Sequence, residues 1–153
     1  MGEKSNNSGA LIGLLGIAAV IASWFFVYIQ MTALIKLVLW EQFLNFWGNS
    51  PRFDTVDTWS FLVIFIVPSV LALIAVPAFV RSSFFQARIP MWIGAIILLL
   101  AFVYRIFPVA ENDLSRNVFR FLTDTGLVTV GPGFFLHLGG IILMFIAAAR
   151  AKG

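Results

Sequence analysis

Long apolar runs, almost free of charge, dominate this sequence and decide its solvent. Ala10–Ile35 and Ser60–Val80 carry no charged residue, Ile89–Tyr104 is a third such run that continues past Arg105, and Thr125–Ala149 is the fourth. A bilayer crossing takes about 20 mostly apolar residues. The pattern therefore predicts spans at about 10–35, 60–80, 89–109 and 131–149. The expected fold is all-α: a four-helix transmembrane bundle in a single integral membrane domain, 1–153, with two extracytoplasmic loops. Composition agrees, since only 11% of residues are charged, against about 25% in soluble domains.

A signal-peptide reading of the first run is weaker than an uncleaved helix. The run is too long for a signal h-region, and the residues after Ala22 are aromatic rather than polar. An even number of crossings puts both termini on one side. With the termini inside, each side holds five basic residues. The inner segments are shorter, so their basic density is higher, which favours cytoplasmic termini. The expected location is the bacterial cytoplasmic membrane.

The first outer loop, EQFLNFWGNSPRFDTVDTW, is rich in rings. Trp40, Trp47 and Trp59 fit an interfacial belt, where indole buries its ring and keeps its N–H wet; a ligand platform is the alternative. The second outer loop, ENDLSRNVFRFLTDTGLVTVGPG, predicts a short interfacial helix. Leu114, Val118, Phe121 and Leu122 share one face, and Arg116 and Arg120 stand four apart on another. That pair suits a solvated face, with a lipid phosphate or a partner's carboxylate as the alternative contact.

Chemistry-bearing residues are few. There is no cysteine, which removes disulfides, thiolate catalysis and zinc–thiolate sites within the chain. No metal-binding spacing, phosphate-binding glycine loop or paired carboxylates can be placed. No acid lies within a span, although proton-coupled transporters usually have one there. Basic residues are scattered, unlike the patch of a nucleic-acid binder. An independent enzyme is not expected.

The exception is His137, the one histidine, inside the last run. At ~1.5 Å per residue it sits about 9 Å below the outer edge at Gly131. Arg105 lies at a similar depth, near a helix end from which its long stem can snorkel. Three readings of His137 stand: structural glue hydrogen-bonded to another helix, an axial ligand to haem or a chlorophyll-type pigment, and a proton relay or quinone contact. Gly139 and Gly140 beside it make room for either a macrocycle or a close helix. Gly9 and Gly13 form a GxxxG pattern in the first span, followed by Gly16, a spacing that lets helix backbones approach closely. Pro68 and Pro77 are expected to bend the second span.

The order of span, loop, span hairpin, loop and span, closing on GPGFFLHLGGIILMFIAAA, is similar in topology to the claudin-like arrangement and to small four-span bacterial proteins. Claudin-type first outer loops carry a GLW with two cysteines. The tryptophans here come without either, so the resemblance implies a topology and no activity. The leading expectation is a non-catalytic accessory or structural subunit of a larger membrane complex, surrounded by the lipid bilayer and other membrane subunits. A cofactor-carrying redox or light-harvesting subunit with His137 as axial ligand, and a small channel or transporter, are the alternatives.

Overall fold

The structure is a computed structural model and describes residues 2–30, 36–49, 53, 55–81, 84–106 and 129–151. It is mostly helical. In chain order the elements are α1 (Gly2–Ser23), β1 (Val27–Gln30), β2 (Lys36–Val38), α2 (Leu39–Gly48), α3 (Val56–Val80), a 3-10 turn (Phe84–Ala87), α4 (Arg88–Ile106), β3 (Thr129–Val130) and α5 (Pro132–Arg150).

Three helical stretches are long and apolar enough to cross a membrane: Thr58–Val80, Phe85–Tyr104 and Pro132–Arg150. They mark the chain as a membrane protein and coincide with the second, third and fourth expected spans. Thr55 starts α3 by accepting a hydrogen bond on its side chain from the Thr58 N–H, an N-cap that satisfies one of the helix's unpaired donors. Pro68 and Pro77 lie within α3, which remains one helix from Val56 to Val80.

The first span differs from expectation. The apolar run predicts one helix over 10–35, but α1 ends at Ser23 and the chain passes into β1. The stretch Trp24–Ile29 is aromatic and β-branched, which favours a pleated strand over continued helix. The Trp24 and Phe25 N–H groups close a turn on the Ile21 and Ala22 carbonyls, and from Val27 on the backbone pairs across a sheet instead. The strand order is β2-β1-β3 with both pairings antiparallel, so the expected all-α class gives way to a helical bundle with a small sheet. The apolar part of α1, Ser8–Ser23, is about 24 Å long at ~1.5 Å per residue.

Helix α5 packs along α1 and α4, and α3 along α4 and α1, so α3 and α5 stand on a diagonal. At one end of the bundle, the sheet end, are the strands and α2. At the other, the hairpin end, are the N-terminus of α1, the 3-10 turn and the C-terminus of α5. Along the axis Val20, Leu98, Met144 and Ala147 are wholly buried, and Met91 and Ile141 nearly so. The outward faces are apolar too: Leu73, Ile89, Leu100 and Phe135 are among the most exposed side chains. That inside-out indifference to polarity is expected where lipid, not water, is the solvent.

The first loop also holds a helix, which the ring-rich belt reading does not anticipate. Helix α2 buries Leu39 and lays Phe43 and Phe46 against the sheet end of α3, with Phe43 4.5 Å from Phe65 and Phe46 5.6 Å from Phe61 between ring centroids. Its Glu41, Asn45 and Gly48 are exposed, giving an amphipathic helix. The expected helix carrying Arg116 and Arg120 lies outside the described residues.

Candidate functional site around His137

The imidazole sits where α1 and α5 come closest. The close approach is set by glycines. A Cβ on Gly140 would lie 2.6 Å from the Gly16 carbonyl oxygen, and one on Gly16 would lie 2.8 Å from the Gly140 carbonyl oxygen. Two turns earlier in α5, a Cβ on Gly133 would lie 2.8 Å from the Phe26 carbonyl oxygen and 3.0 Å from that of Ser23. Gly133, His137 and Gly140 follow one another at helical spacing, so the ring enters the seam between two backbone contacts.

There the ring is fully buried and surrounded by aromatic residues. Phe102 of α4 stacks on it at 5.4 Å and 18°. Tyr28 meets it edge-on at 5.9 Å and 81°. Tyr28 reaches this position because the β1–β2 register slips between Val27 and Ile29, leaving Tyr28 as the extra residue of a bulge, a device that re-aims a side chain. The Tyr28 carbonyl accepts from the Gly131 N–H at 3.0 Å, tying the sheet to the start of α5.

The hydrogen bonds assign the tautomer. The Ser23 hydroxyl donates to the Val20 carbonyl at 2.6 Å, within its own helix. Its only proton is thereby used, so toward His137 Nδ1, 3.2 Å away, the Ser23 oxygen is an acceptor. Nδ1 then carries the proton and Nε2 has a bare lone pair. Among the described residues nothing donates to Nε2, and the buried Trp24 Nε1–H likewise has no acceptor. A buried unpaired polar atom costs about 1–3 kcal/mol. Chemically, Nε2 can accept a hydrogen bond or ligate a metal. A serine holding the other ring nitrogen is an arrangement that orients a histidine ligand. Nε2 itself is enclosed, however, so a macrocycle on it would need its surroundings to part. Among the described residues no group of three or more His, Asp or Glu side chains could hold a metal ion.

The remaining expected residues are distributed as follows. Of the small-residue positions, Gly140 is at the α1–α5 contact, and Gly16, the residue that follows the GxxxG pattern, is its counterpart. Gly9 stands opposite Arg150 at ordinary van der Waals distance, Gly13 is buried, and Gly139 faces open space, with nothing within 4 Å of where a Cβ would stand. The partner of the GxxxG helix is therefore α5 of the same chain. Trp40 is half-buried between Phe25 and Phe43, each at 5.4 Å. Trp47 and Trp59 are exposed, and Trp59 Nε1 donates to the Phe53 carbonyl at 2.9 Å. Arg105 belongs to the last turn of α4, its side chain lying outside the described set. Arg116 and Arg120 lie outside it altogether. Nothing in the sequence pattern singles out Ser23 or Tyr28 as partners of His137. No protein-family model, curated protein or solved structure matches this chain.

Proposed function

We propose that this chain is a non-catalytic integral subunit of a larger membrane assembly, crossing the bilayer four times with His137 as an internal clamp. The observation that carries the reading is the filled seam. His137 joins α1, α4, α5 and β1 through one hydrogen bond and two ring contacts, and the axis beyond it is occupied by Val20, Ile141 and Met144. Such an interior supports a scaffold better than a conduction path. The fourth crossing follows from pairing: α1 runs antiparallel beside α5 from Gly9 opposite Arg150 to Ser23 opposite Gly133. If α5 crosses, α1 traverses the same depth. Its ~24 Å apolar length falls short of the ~30 Å core, and Trp24–Val27 continues the apolar surface. The start of α1 and the end of α5 lie at the hairpin end with Arg81, Arg88 and Arg150, while Lys36, Glu41 and the turn of α4 that carries Arg105 are at the sheet end; the small excess of basic residues at the hairpin end among the described residues supports placing that end in the cytoplasm.

Native mass spectrometry after extraction in mild detergent tests the proposal. Membrane partners at fixed stoichiometry are expected, and a lone monomer from native membranes would count against it. One observation favours a second reading, the unpartnered Nε2, which suits an axial ligand to haem or a chlorin. A visible absorption band on the purified chain, lost in His137→Ala, would establish that reading.

A further inference from the structure

At the hairpin end, the corner where α3 turns toward α4 holds a cavity of about 260 Å³. Leu73, Ile74, Pro77 and Ala78 line it from α3, Arg81 from the cap of that helix, and Gln86 and Ala87 from the 3-10 turn. At ~30 Å³ per water the space takes several polar heavy atoms together with the start of an apolar chain. The wall of Leu73 and Ile74 is continuous with the exposed apolar face of α3. The lining also carries the Arg81 guanidinium, with five N–H donors in a planar fork, and the Gln86 primary amide.

The charge of this corner is one-sided. Arg81 caps α3, its N–H bonded to the Pro77 carbonyl at 3.0 Å. Its side chain is exposed, and among the described residues it has no ion-pair partner. Arg88 opens α4 seven residues on, and the sequence from Thr58 to Ala110 contains no acid. An isolated guanidinium at the end of a span, beside an apolar wall, complements a phosphodiester with attached chains, and basic pockets between transmembrane helices take anionic headgroups.

The geometry points to an anionic phospholipid bound in this corner, its phosphate oxygens on Arg81 and Gln86 and an acyl chain along Leu73 and Ile74. This goes beyond the proposed subunit role and does not depend on it. Free phosphate shares the headgroup chemistry but has no use for the apolar wall, so the lipid is the occupant.

The test is native mass spectrometry of the full chain in mild detergent, with phosphatidylglycerol or phosphatidylcholine of identical chains. Retention of phosphatidylglycerol is expected to exceed that of phosphatidylcholine on the order of fivefold, the effect of one basic residue near an anionic surface. Arg81→Gln should remove the preference, while Arg150→Gln, on the diagonal helix, should leave it. Gln86→Ala, read the same way, should weaken it and serves if Arg81→Gln does not fold. Equal retention of the two lipids would overturn the proposal. So would equal losses in Arg81→Gln and Arg150→Gln, which would show general charge attraction. Displacement of phosphatidylglycerol by millimolar inorganic phosphate would assign the corner to free phosphate and also overturn it.

Discussion

Ser23 and His137 are 114 positions apart and share one buried hydrogen bond of 3.2 Å, with the serine as acceptor because its proton is committed to Val20. Ser23→Ala strands the Nδ1–H and is expected to cost about 1–3 kcal/mol. His137→Phe removes both ring nitrogens while keeping a flat ring against Phe102, and should cost less than about 1.5 kcal/mol. In the double variant the serine deletion should have almost no further effect. A double-mutant cycle by denaturation in detergent should therefore return a coupling of about 1 kcal/mol or more; additivity would mean that the bond does not hold the helices.

The glycines of the helices divide by what stands opposite. Gly140→Ala would drive a methyl into the Gly16 carbonyl, and backbone cannot rotate aside. It should lower stability by about 1–3 kcal/mol. Gly94→Ala, in α4, meets the Leu71 side chain, which can change rotamer, so a smaller loss is expected. Gly139→Ala meets nothing within 4 Å and should be neutral within about 0.5 kcal/mol. Thermal unfolding of the three variants in one detergent checks the order.

What is legible in the sequence follows from how local each signal is. The helices α3, α4 and α5 can be read because a charge-free run of spanning length has few alternatives in a bilayer. The end of α1 cannot, since Trp24–Ile29 is as apolar as a helix and only its aromatic and β-branched character hints at a strand. Helix α2 does leave a signal: Leu39, Phe43 and Phe46 recur at helical spacing. The partner of His137 does not, because nothing local marks Ser23 among the other small residues of α1. The glycine seam is half legible. Small residues at four-residue spacing announce a close approach, but which glycines meet depends on a register that only the packed helices define.

An interfacial belt would fix the depth of its tryptophans. Trp47 and Trp59 are exposed at the sheet end, whereas Trp92 lies in α4, one turn from its start at the hairpin end, 5.3 Å from Phe145. Variants keeping one tryptophan, the others replaced by Phe, should show Trp47 and Trp59 quenched best by lipids brominated near the headgroup. Strongest quenching of either by bromines at the chain terminus would place it in the hydrocarbon centre and remove it from the belt.

Topology gives the last prediction. The antiparallel seam of α1 and α5 sets Gly9 beside Arg150 at one end and Ser23 beside Gly133 at the other. The α3–α4 hairpin closes at the same end as the termini, through contacts of the 3-10 turn with α1. Single cysteines introduced at Ser8, Gln86 and Asn45 add thiols to a chain that has none. In sealed vesicles of uniform orientation, a membrane-impermeant maleimide should label Ser8→Cys and Gln86→Cys from one side and Asn45→Cys from the other. Labelling of Ser8→Cys and Asn45→Cys from the same side would mean that α1 enters the bilayer without crossing it. The packing of α1 beside α5, from Gly9 opposite Arg150 to Ser23 opposite Gly133, makes that arrangement hard to build, because the two ends of the seam would have to reach the same surface.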